Sequence, residues 1–259
     1  MNFTADEIQQ HLTVDGLSLQ VFPCLPSTNT LAKQLGYEGA PHGLVIAAEE
    51  QTAGRGRMGR SFFSPDGTGI YFSLLLRPTL PPTDSLLITT AAAVAVAQAL
   101  EALSEKRAEI KWVNDIYMDG KKVCGILTEA AIAPAGDRLL FAVLGIGINL
   151  QPPKEGFPSD LQEKAGGIWK DNASHLRGRI LAEVLNRFMP IYENLQEKAF
   201  IAEYCARSML DGRPVHVLKG DSTIPATALH ITENLALKVR YDNGETEELF
   251  TGDVSIRTV

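Results

Sequence analysis

Two textures of apolar and polar positions run along this chain, changing near Asp211. Thr4-Ala-Asp-Glu7 fits a capping box, with Ile8 and Leu12 at helical spacing, and predicts a short N-terminal helix. Residues 17–22 read as a strand stopped by Pro23 and Pro26. A helix over 30–36 follows, with Ser27 or Thr28 as its N-cap. Residues 44–50 and 70–76 are apolar strands, and 84–103 form a helix capped by Thr83 or Asp84. Strand-like runs at 110–117 and 121–128 flank Asp119-Gly120, a hairpin signal. Strand alternation sends Lys121 and Lys122 to opposite faces, so one can enter a site while the other stays solvated. Residues 139–150 are almost wholly apolar and predict a central strand buried on both faces. Residues 151–173 read as a surface excursion, followed by helices over 174–195, kinked near Pro190, and 197–210.

Beyond Asp211, five short strands are expected at 214–218, 224–231, 236–241, 246–250 and 254–256, with Asn243-Gly244 marking a hairpin. This predicts an α+β chain with a domain at 1–210 and a small β-barrel at 211–259. A barrel that small needs to dock on the first domain to be stable.

Candidate chemistry concentrates between the strands at 44–50 and 70–76. There, Arg55, Arg57 and Arg60 alternate with Gly54, Gly56 and Gly59, just after Gln51. Glycine lets a ligand approach the main chain, and arginine offers planar donors of fixed charge. The loop suits a polyanion; a solvated basic turn or a nucleic-acid contact is the alternative. Ser27, Thr28 and Asn29 can bond a polar ligand, although local grounds favour a simple capping cluster. Gly145 and Gly147 imply close approach of a ligand or another backbone. Asn149 either reads an adenine edge or forms the turn before Pro152.

Composition narrows these readings. A net charge of −7 argues against a general nucleic-acid binder. Positive charge is local, at 55–60 and at Lys111, Lys121 and Lys122, which points to a small anionic ligand. Cys24, Cys124 and Cys205 lie far apart with no C-x-x-C, as expected of reduced thiols in a cytoplasmic protein. The histidines lack metal-ligand spacing, and no signal segment opens the chain. The apolar stretch 86–103 is broken by Thr89, Thr90, Gln98 and Glu101, so a core helix is expected and no membrane partner.

Four segments in this order closely resemble the biotin protein ligases: Ser27-Thr-Asn29, Gly54-Arg-Gly-Arg-Met-Gly-Arg60, Lys111-Trp-Val-Asn-Asp115 with Lys122-Val-Cys-Gly-Ile-Leu127, and Gly145-Ile-Gly-Ile-Asn149. The closing Gly252-Asp-Val-Ser-Ile-Arg257 resembles that family's C-terminal SH3-like domain, and the resemblance covers roughly 17–259. It implies a mixed, mostly antiparallel sheet flanked by helices, of the class II synthetase-like type. It also implies that biotin and MgATP give biotinyl-5′-AMP and pyrophosphate, and that the adenylate acylates a lysine of a biotin carboxyl carrier protein, such as an acetyl-CoA carboxylase subunit. No covalent nucleophile is required.

The same resemblance implies residue roles. Ser27, Thr28, Asn29, Gln51, Gly54, Arg55, Lys122 and Gly125 bind biotin. Arg55, Arg57, Arg60, Phe62, Trp112, Asn114, Lys122, Asn149 and Arg257 bind ATP or the adenylate. Lys122 is the key cation, with Arg57, Lys111 and Asp115 beside it, and Asp115 helps hold Mg²⁺ or orients Lys111. The chain departs from the pattern at Phe62, where members often have tryptophan, and at Met58, where arginine is frequent. It also lacks the DNA-binding domain of the bifunctional members, so a monofunctional ligase that binds no DNA is expected. Lipoate or octanoate ligases rely on an Arg-Arg-x-Ser-Gly-Gly-Gly loop and a His-Asp pair, which are absent. A non-catalytic DNA-binding regulator lacks its recognition helices here. A homodimer through a sheet edge is left undecided.

Overall fold

Thr4 caps the first helix, its Oγ1 accepting the Glu7 N–H at 3.2 Å, and α1 runs Ala5–Gln9. The computed structural model describes residues 3–219, 222–250 and 253–256. Strand β1 (Ser18–Leu25) runs through Pro23, where the sequence predicted a stop. The strand continues because β1 is an edge strand, where proline is tolerated, and its pairing with β2 is interrupted at Pro23 and resumes at Cys24. Ser27 caps α2 (Thr28–Tyr37), accepting from the Thr30 N–H.

The predicted apolar runs become β2 (Leu44–Gln51) and β3 (Gly69–Leu76), and α3 spans Ser85–Ser104. The run expected at 110–117 is instead two strands, β4 (Glu109–Lys111) and β5 (Asp115–Met118), folded against each other with Lys111 opposite Asp115. Trp112 turns its indole inward to donate to the Leu235 carbonyl at 2.9 Å, and Tyr204 Oη donates to the Val113 carbonyl at 3.0 Å. These contacts hold the bend. β6 (Lys121–Ile132) and β7 (Leu139–Asn149) complete a sheet ordered β1-β2-β3-β7-β6-β5-β4. Only the β1–β2 pair is parallel.

Both faces of this sheet are covered, so its central strands carry no alternation. Leu44, Ile46, Phe141 and Val143 pack with Ala32 of α2, while Val45, Ala47, Ala142 and Leu144 join the larger core with α3. α4 (Arg177–Glu193) packs on that same side, carrying Pro190 in its last turn. The stretch 82–104 is long and apolar enough to cross a membrane, but it is mostly buried in this core. Its polar positions are partnered: Thr89 bonds Thr128, Gln98 bonds Glu203, and Glu101 pairs with Arg207. The second predicted helix shrinks to α5 (Ile201–Ala206).

β8 (Pro214–Lys219), β9 (Ser222–Ile231), β10 (Leu237–Tyr241), β11 (Thr246–Leu249) and β12 (Asp253–Ile256) match the five expected strands closely. They form one antiparallel sheet ordered β11-β10-β9-β8-β12, and among the described residues no ladder joins β11 to β12 to close the expected barrel. Val215, Val217, Ala228 and Val239 belong to the same core cluster as α3, so this sheet is docked on the first.

Candidate active site

The glycine–arginine loop leaves the end of β2 and returns to β3, arching over the centre of the large sheet. Gly54 is tightly fitted: a Cβ there would meet the Phe62 carbonyl, Ser64 Oγ at 2.7 Å and Gln51 Nε2 at 3.2 Å. Met58 at φ +54° and Gly59 at φ +76° carry the turn at the loop's tip. Beneath the loop lies a cleft of about 110 Å³.

One end of the cleft is a hydrogen-bonded cluster of buried polar groups. Gln51 Oε1 accepts from the Thr28 N–H at 2.9 Å and from Thr28 Oγ1 at 3.1 Å, and Gln51 Nε2 donates to Ser64 Oγ at 3.0 Å. Ser73, fully buried, sits 2.6 Å from Asn29 Oδ1 and 2.8 Å from Thr28 Oγ1. With one proton to give, it donates to one of them at a time. These groups satisfy one another and place amide and hydroxyl groups at this end of the cleft.

The floor is bare backbone. Gly125 of β6 pairs with Gly147 of β7. The ring of Phe62 lies on both: a Cβ at Gly147 would meet the ring at 2.5 Å, and one at Gly125 at 3.1 Å. The Cβ position of Gly145 is occupied by the Asn29 amide. The close approach that these glycines permit is therefore made by Phe62 and Asn29.

The other end is ionic. Lys122 Nζ lies 2.7 Å from Asp115 Oδ1, an ion pair whose direction leaves that buried oxygen without a hydrogen bond. Arg57 Nη1 donates to Asn114 Oδ1 at 3.0 Å, and Asn114 Nδ2 donates to the Ile126 carbonyl at 2.7 Å. The lysine alternation behaves as predicted, since Lys121 Nζ faces away and donates to the Glu163 carbonyl at 2.7 Å. The excursion 151–173 contributes here too: Lys164 and Gly166 bond the Lys122 backbone at 2.8 and 3.0 Å and fix its position. Cys124, behind Lys122, is fully buried, and burial pushes its thiol far above the ordinary range. It is therefore inert as a nucleophile.

The cleft thus gathers Ser27, Thr28, Asn29, Gln51, Arg55, Arg57, Arg60, Phe62, Asn114, Asp115, Lys122 and Gly125 from four separate stretches of the chain. Gly54 supports the loop from behind. Lys111, Trp112 and Asn149 do not line the cleft: Lys111 pairs with Asp115 along the strand ladder, Trp112 ties the two sheets together, and Asn149 ends β7 opposite Gly69. Arg257 lies outside the described residues. Three partners escaped the sequence reading: Ser64, Ser73 and Glu129. Ser73 and Glu129 had a signal, each being a polar residue inside a mainly apolar strand.

The sequence model of the Biotin/lipoate A/B protein ligase family matches residues 21–149. The bifunctional ligase/repressor BirA of Escherichia coli (strain K12) is 31% identical over 251 residues, covering 95% of this chain and 76% of that protein. The chain belongs to the biotin/lipoate A/B protein ligase family. Its similarity to the ligase/repressor BirA of Bacillus spizizenii is 37% over 177 residues, where the chain spans 54% of the relative's length. A solved structure of the biotin protein ligase from Aquifex aeolicus in complex with biotin and ATP superimposes with a TM-score of 0.73 at 27% identity, covering 93% of this chain and 99% of that one.

Proposed function

We propose that this chain is an ATP-dependent biotin protein ligase. It joins biotin to ATP to form biotinyl-5′-AMP and pyrophosphate, then passes the biotinyl group to a lysine of a biotin carboxyl carrier protein. The observation that carries this reading is one cleft with a neutral, amide-rich end and a cationic end, in a chain whose relatives include ligases named for biotin. A ureido ring needs both donors and acceptors, which Ser27, Thr28, Asn29 and Gln51 offer. A carboxylate meeting an α-phosphate brings two anions together, which Lys122, Arg57 and Arg55 can offset. Lys122 is assigned to the reacting carboxylate and phosphate, with Asp115 holding its ammonium in place. Phe62, lying on the Gly125–Gly147 floor, is assigned an aromatic face toward the ligand, and Arg60 and Asn114 serve the nucleotide end.

Magnesium fits as part of MgATP. Among the described residues no group of three His, Cys, Asp or Glu forms a cage, and Asp115 is the carboxylate that lines the cleft. A triphosphate-borne Mg²⁺ commonly uses one or two carboxylates and water. Residues 1–210 are assigned to biotin and ATP, and 211–259 to a docked accessory domain. The acceptor is taken to be a carboxylase carrier, without DNA binding and in the cytoplasm.

Mass detection after mixing the protein with biotin and MgATP, with octanoate and lipoate as competing acids, tests the reading. Biotinyl-5′-AMP is expected. An octanoyl or lipoyl adenylate would overturn the choice of acid, and no adenylate at all would overturn the reaction.

A further inference from the structure

Glu129 stands in β6 at the margin of the cleft, and no role above uses it. Its side chain is half-buried, at 15% exposure, and three groups converge on it. Asn29 Nδ2 donates to Oε2 at 3.1 Å. Arg55 Nη2 lies 3.3 Å from Oε1, and Lys33 Nζ lies 3.6 Å from the same oxygen. The pairing joins three segments: the glycine–arginine loop through Arg55, helix α2 through Asn29 and Lys33, and the sheet through Glu129 itself.

Two consequences follow from this geometry. A carboxylate is acceptor-only, so Glu129, together with the Leu127 carbonyl 3.4 Å away, accepts the NH₂ end of the Asn29 amide and turns Oδ1 toward Ser73. Asn29 Oδ1 then stands as an acceptor 2.6 Å from Ser73 Oγ, within the polar cluster at the cleft's neutral end. The same carboxylate holds the guanidinium of Arg55, so the loop rests over the cleft with a charged tether on a rigid strand.

Resting on the biotin reading above, we propose that Glu129 is a positioning residue of this site: it ties Arg55 of the loop to Asn29 of α2, fixing both the resting loop and the amide that faces the ligand. Glu129 touches no reacting atom in this scheme. It acts through Arg55 and Asn29, and its removal affects binding more than turnover.

The test uses Glu129→Gln, which keeps the shape and an acceptor oxygen but loses the charge. Trypsin cleavage after the loop arginines is measured in the ligand-free protein, with biotin affinity by calorimetry and the urea midpoint alongside. Loop cleavage about tenfold faster and biotin binding about tenfold weaker are expected, the scale of one charge-assisted contact. The urea midpoint should not move, which separates a tether from a packing role. Arg55→Gln, on an exposed loop, tests the pair from its other side. It should raise cleavage after Arg57 and Arg60 similarly, and adding Glu129→Gln to it should raise cleavage little further. Wild-type cleavage in Glu129→Gln, or fully additive effects of the two changes, would overturn the proposal. Because the proteolysis needs no ligand, it answers even if the protein proves not to bind biotin, an outcome that would strike the functional reading alone.

Discussion

The ammonium of Lys122 lies 2.7 Å from Asp115 Oδ1, while its neighbour Lys121 reaches away to the carbonyl of Glu163. Adjacent strand positions have placed one lysine in the cleft and one outside it. Lys122→Ala is expected to slow adenylate formation roughly ten- to hundredfold, as loss of a charge-assisted contact worth about 1.5–3 kcal/mol implies. Lys121→Ala should leave the rate within about twofold, as a half-exposed lysine contact allows. Pyrophosphate release under single-turnover conditions checks both, and equal rates for the two variants would refute the assignment.

Gly147 and Phe62 share one space. A methyl at Gly147 would meet the ring at 2.5 Å, so Gly147→Ala must push Phe62 off the floor. Biotin affinity should fall about tenfold, in line with an overpacking cost of about 1–3 kcal/mol. In a Phe62→Ala background the same change should cost little, because the ring it displaces is gone. Calorimetry on the four proteins of this cycle decides the matter.

Trp112 joins the two sheets through its indole bond to the Leu235 carbonyl. Trp112→Phe keeps an aromatic ring but leaves that carbonyl without its donor. A loss of about 1–3 kcal/mol in unfolding free energy is expected. Urea denaturation should show an earlier midpoint, and a midpoint equal to wild type would show the bond to be dispensable.

His42 is predicted to titrate low. Burial against Tyr192, whose ring is 5.7 Å away and nearly parallel, lowers its pKa from 6.5 despite the opposing charge of Glu193. The neutral ring also accepts the Arg77 N–H at Nδ1, 3.2 Å away, which a protonated ring cannot do. Its folded pKa is depressed, so its contribution to stability is full above pH 6.5 and is lost as pH falls through the folded value. NMR titration should place the His42 midpoint below 6.5, and His42→Gln should flatten the acid limb of the stability curve.

Much of this architecture was legible because both faces of the large sheet are covered. Continuous apolar runs such as 44–48 then announce strands without needing alternation. The 110–117 run misled because its apolar residues bury themselves at a bend, held by Trp112 and Tyr204 through contacts 123 and 91 residues away in sequence. Long-range partners of that kind leave no local trace. The cleft residues were legible where glycine and arginine crowd together. Ser73 and Glu129 were passed over because a single polar residue in an apolar strand does not say which distant groups meet it. Asn29 and Phe62 show the same limit from the other side: the glycines at 145 and 147 signalled close approach, but not which side chains would approach.

Pro23 lies within β1, at the outer margin of the large sheet. An outer strand presents a row of backbone donors and acceptors on which a foreign chain can grow as a further strand. Proline contributes no donor to that row and holds its own backbone bend. A residue that looked like a strand terminator therefore serves as a gatekeeper against aggregation: it leaves the strand in place for this fold and makes the same strand a poor template for any other.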